Sequence, residues 1–126
     1  MDRTLEQLFG CEVGDPDDAP TSMVGNIWRS WKKPISDLTP EELGSLVVQR
    51  DGFPIVLDLV MPKLRADPLF DGGYYPGDVL SNLLRSPPEI WIDRPEYEAE
   101  LAALEELALA AGEDTNHAFR KSLARF

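Results

Sequence analysis

Apolar residues in this chain recur at three- and four-residue spacing in one stretch after another, and nowhere alternate convincingly with polar residues as a strand would require. Phe53, Val56, Leu57, Val60 and Leu64 form the fullest series. Leu43, Leu46 and Val47 form another, Val79, Leu80, Leu83 and Leu84 a third, and Tyr97, Leu101, Leu104, Ala108 and Ala111 a fourth. A stripe of this period covers one side of a helix and has to be buried against other helices. The pattern predicts an all-α fold: a single compact domain over residues 1–126 with about six or seven short helices.

The punctuation between stripes agrees. Thr4 is placed to cap a short helix with Gln7 as its capping-box partner and Gly10 as its stop. Thr39-Pro40-Glu41-Glu42 is the clearest helix start, with a cap, a proline at the first helical position and a box-completing glutamate. Asp93 with Glu96 predicts a similar start with Asp93 as cap, and Gly112 is expected just past that helix's end. Met23, Ile27 and Trp31 share one face of a helical segment that Lys33-Pro34 interrupts. Pro62 predicts a kink or an early end, because it removes a hydrogen bond and presses on the Asp58 carbonyl. Ser86-Pro87-Pro88 ends the Val79 helix, Ile90–Ile92 is either extended or one turn, and a last helix carries Phe119 and Leu123. Residues 12–20, acidic and broken by prolines, read as a surface loop.

Charge narrows the partners. Twelve Lys and Arg stand against 23 Asp and Glu, a formal net charge of −11. Such a field repels nucleic acid and anionic lipid and attracts basic partners, although acidity also serves plain solubility. The acids are uneven: residues 1–18 hold six against Arg3, and residues 93–114 hold eight against Arg94. No apolar run reaches the roughly 20 residues of a membrane span. The first residues lack a signal-peptide core, and the single cysteine, Cys11, suits a reducing compartment; both place the chain in the cytoplasm.

Motifs for chemistry are sparse. The one histidine, His117, reads as a surface or capping residue rather than an acid–base catalyst. Asp15-Pro16-Asp17-Asp18 lacks the glutamate that closes a calcium loop, Asn26 standing in its place. Cys and His are too few for a zinc site, and no glycine-rich phosphate loop with a lysine is present. No cofactor and no catalytic residue is expected. The cluster Trp28-Arg29-Ser30-Trp31-Lys32-Lys33 could stack on single-stranded nucleic acid. Core packing is the preferred reading, since two tryptophans three apart suit one helix face and few cations stand against so many acids.

Several segments, taken in order, resemble the bacterial immunity proteins of contact-dependent growth inhibition systems. They are Leu5-Glu6-Gln7-Leu8, the run from Lys32 through Pro34, Thr39 and Pro40 to Leu43, then Gln49 and Gly52, Ala66-Asp67-Pro68-Leu69, and Tyr74-Tyr75-Pro76-Gly77-Asp78-Val79-Leu80. The likeness spans roughly residues 4–92; the last third is only generically similar, and Pro62 within a helix is not part of the pattern. The resemblance implies a monomer that binds, one to one in the producer's cytoplasm, the C-terminal toxin domain delivered by a neighbour. Such toxins are often nucleases with basic clefts, which an acidic inhibitor suits. The alternative is an acidic adaptor or nucleic-acid mimic for another basic partner. A small enzyme would rest on His117 and carboxylates alone. Pro76–Leu80 belongs to the shared pattern and reads as scaffold. Expected partner-binding residues are Asp71, Tyr74, Tyr75 and Asp78 around that loop, and Glu98 and Glu105 on the outer face of the 94–111 helix.

Overall fold

The structure, a computed structural model, describes residues 2–124. Among them are seven α-helices and no strand: α1 (Leu5–Phe9), α2 (Ser22–Trp31), α3 (Pro40–Gln49), α4 (Ile55–Ala66), α5 (Asp78–Arg85), α6 (Pro95–Ala110) and α7 (Glu113–Leu123). Single 3-10 turns at Pro16–Asp18, Ile35–Asp37 and Pro88–Trp91 join them. Both capping boxes form: the Thr4 and Thr39 hydroxyls accept from the Gln7 and Glu42 amides, while the Gln7 and Glu42 side chains accept from the cap amides.

The buried stripes meet around α4, whose Val56, Leu57, Val60, Met61 and Leu64 are fully enclosed. Leu43, Leu46 and Val47 of α3 and Val79, Leu80 and Leu83 of α5 join this core, and Leu5 and Phe119 reach it from the two ends of the chain. Asn116 ties α6 to α7. Its buried amide donates to the carbonyls of Ala108, Leu109 and Ala111, joining the Ala111 N–H at the first and Arg120 Nη2 at the second in satisfying acceptors at the end of α6.

Four local expectations give way. Of the kink or early end expected at Pro62, the early end does not occur, since α4 continues to Ala66. The Pro62 ring lies on the exposed side, where water can serve the Asp58 carbonyl that Pro62 leaves without a partner. Phe53 precedes α4 rather than opening it. Met23, in the first turn of α2, is exposed although Ile27 and Trp31 of the same stripe are buried. Asp93 is not the cap of α6: Pro95, lacking an N–H, takes the first helical position, so the cap falls to Arg94. Gly112 follows α6 as expected but has φ −57°, not a left-handed conformation, and serves as the N-cap of α7. Ile90 and Trp91, left open between strand and turn, lie in the Pro88–Trp91 3-10 turn.

The acidic loop at 12–20 lies on the surface but is tethered. Asp15 accepts from the Asp17 amide, and Val13 donates its N–H to Glu6. The Pro16–Asp18 turn rests on α2 where Gly25 leaves room, since a Cβ there would come 3.0 Å from the Pro16 carbonyl oxygen.

Candidate functional site

Three glycines and one carboxylate build the loop between α4 and α5. Gly44 of α3 and Gly72 of the loop meet backbone to backbone; a Cβ on Gly44 would stand 2.0 Å from the Gly72 carbonyl oxygen. Gly77 takes φ 91°, a conformation costly for any other residue, and a Cβ on it would stand 2.8 Å from the Phe119 ring. Asp78, only 2% exposed, turns its carboxylate back into the loop and accepts the Gly72 N–H at 2.6 Å and the Tyr74 N–H at 3.0 Å. Burial pushes its carboxyl above the ordinary carboxylate value, against the pull of the Gly72, Tyr74 and Val79 amides. Asp71 closes a smaller turn by accepting the Gly73 N–H at 2.7 Å.

The outcome is a display of aromatic surface on a loop whose backbone amides are hydrogen-bonded. Tyr74 is 67% exposed and Tyr75 half-buried. With Val48, Asp78, Asn82 and Arg85 they line an open groove of about 520 Å³. The sequence groups Asp71, Tyr74, Tyr75 and Asp78 together, and the fold does bring them together. Asp78, however, faces inward and holds the loop, so it offers no free carboxylate to a partner; a short polar side chain before an apolar stripe does not reveal which way it turns.

The second set lies elsewhere. Glu98 and Glu106 on α6 are exposed and Glu105 is half-buried. Basic residues near this region are engaged within the protein. Arg94 donates from Nε and Nη2 to Asp58 at 2.9 and 2.8 Å, holding the Asp58 carboxyl below its ordinary value, and Arg65 pairs with Glu100. At the foot of α6 the sequence reasoning missed a feature. Ile92 is 80% exposed while its neighbour Trp91 is buried. The signal was present: three consecutive apolar residues confined to a single turn cannot all face one core.

The basic aromatic cluster is absorbed into the fold. Trp31 is buried and its indole N–H donates to Asp51 at 3.0 Å; Trp28 lies against Gly14. Lys32 pairs with Glu6, Lys33 with Glu42, and Arg29 donates to Asn26. These cations are occupied within the chain, and core packing is what the tryptophans do. His117 lies exposed on α7. Among the described residues no group of three or more His, Cys, Asp or Glu converges as a metal site would require.

The profile of a protein family described as CDI immunity proteins matches residues 7–101, about three quarters of the chain. No curated protein and no solved structure matches it.

Proposed function

The chain belongs to the CDI immunity proteins, the immunity factors of contact-dependent growth inhibition, and we propose that it acts by occlusion, binding the C-terminal domain of its cognate toxin one to one in the cytoplasm. The toxin is a cationic nuclease, and inhibition needs no turnover by the inhibitor. The family match over residues 7–101 carries the immunity role. Support for a cationic target comes from the net charge of −11, which speeds the approach of a basic surface and competes with a phosphate backbone for it. No described helix is long and apolar enough to cross a membrane.

Two regions offer themselves to the toxin. The loop displays Tyr74 and Tyr75 beside Asp71, and a hydrogen-bonded loop backbone has less ordering left to do on binding, which favours its aromatic residues as anchors. Glu98 and Glu105 on α6 supply charge. Asp78 acts from within by fixing the loop.

The test is co-expression with the C-terminal domain of the cognate contact-dependent toxin. Cells carrying both survive, and cells carrying the toxin domain alone die. Equal killing with and without this protein would refute immunity.

A further inference from the structure

Where the Pro88–Trp91 turn runs into α6, Pro88, Glu89, Trp91, Ile92, Pro95 and Glu98 line a shallow depression of about 350 Å³. Its floor and walls are prolines, an indole and an isoleucine; its two polar residues are both carboxylates. Glu89 and Glu98 are exposed, and their carboxylates make no hydrogen bond or ion pair with the described residues. The one cation in this part of the sequence, Arg94, is directed away: its guanidinium pairs with Asp58 and donates from Nη1 to the Asp93 carbonyl. Asp93 and Glu96 add exposed acids beside it.

An apolar trough with carboxylates at its rim matches one kind of side chain. A long cationic residue has an aliphatic stem that gains from apolar contact and a head that seeks carboxylates. We propose that this depression seats an arginine or lysine projecting from the toxin domain, its stem laid on Pro88, Ile92 and Pro95 and its charge held by Glu89 and Glu98. The proposal rests on the immunity reading and deepens it by naming a second contact distinct from the tyrosine groove. Other occupants fit less well. A second copy would set the same acids against each other, and nucleic acid and anionic lipid are repelled outright.

The test measures binding of the cognate toxin's C-terminal domain, in a catalytically inactivated form, to the full chain by surface plasmon resonance. Glu89→Gln/Glu98→Gln and Ile92→Ala are compared with wild type, and each variant's thermal midpoint is recorded to exclude unfolding. The seat predicts a loss of affinity of tenfold or more for the double variant and severalfold for Ile92→Ala, with midpoints near wild type. A smaller dependence of affinity on salt is also expected for the double variant. If wild type binds and both variants bind within twofold of it, the seat is refuted and the immunity reading stands. If wild type itself does not bind, the immunity reading falls and takes the seat with it.

Discussion

The loop at 71–78 and the foot of α6 both carry aspartates or glutamates beside aromatic and apolar residues, yet they use them in opposite ways. In the loop, Asp78 is buried and bonded to the backbone, and burial raises its carboxyl above the ordinary value. At the foot of α6, Asp58 is drawn below its ordinary value by Arg94, and that pairing leaves Glu89 and Glu98 without a cation. One region employs an acid to fix geometry; the other employs an acid, Asp58, to engage the nearby cation Arg94. Substitutions in the first should therefore damage the fold, and those in the second should act mainly on recognition.

The sharpest way to break that contrast is Gly44→Ala. The added carbon would sit 2.0 Å from the Gly72 carbonyl oxygen, which is backbone and cannot rotate aside. We expect a loss of about 3 kcal/mol or more in urea unfolding, at the upper end for overpacking, despite alanine's better helix propensity. A neutral or stabilising result would mean that the loop is not clamped to α3. Asp78→Ala comes next. It leaves the buried Gly72 amide and the partly buried Tyr74 amide without their acceptor, for about 2–3 kcal/mol by the same measurement. Unchanged stability would mean that Asp78 is not what pins the loop.

How much of this was legible beforehand follows the range of each interaction. Helix stripes and capping boxes are written within four residues, so the all-α architecture and the starts of α1 and α3 are plain in the sequence. The rule that makes Pro40 the first residue of α3 also makes Pro95 the first of α6 and Arg94 its cap; the acid at 93 is a decoy. Orientation is harder. Asp78 and Glu98 both lie near a helix start, and the first turns inward to accept the amides of a loop that packs closely on α3. That contact joins residues far apart in the chain, as does the Arg94–Asp58 pair. Asn116, beside the lone histidine that draws attention first, proves to be the residue that closes α6.

The smallest expected effect sharpens the comparison through pH. Asp58 accepts from Arg94 at a partly exposed site, so Asp58→Asn should cost only about 1 kcal/mol at neutral pH once solvent screening is allowed for. Because the folded state holds the Asp58 carboxyl below its ordinary value, its contribution is present above that value and is lost as pH falls through the depressed one. The wild-type advantage over Asp58→Asn should therefore narrow as a series of urea unfolding curves is taken from neutral into acid. Asp78 carries the opposite sign. Its raised carboxyl contributes fully below the ordinary value and loses that contribution as pH rises through the raised one, so the wild-type advantage over Asp78→Asn should narrow toward neutral pH. Slopes of the same sign for the two variants would erase the distinction between an acid held by burial and an acid held by a cation.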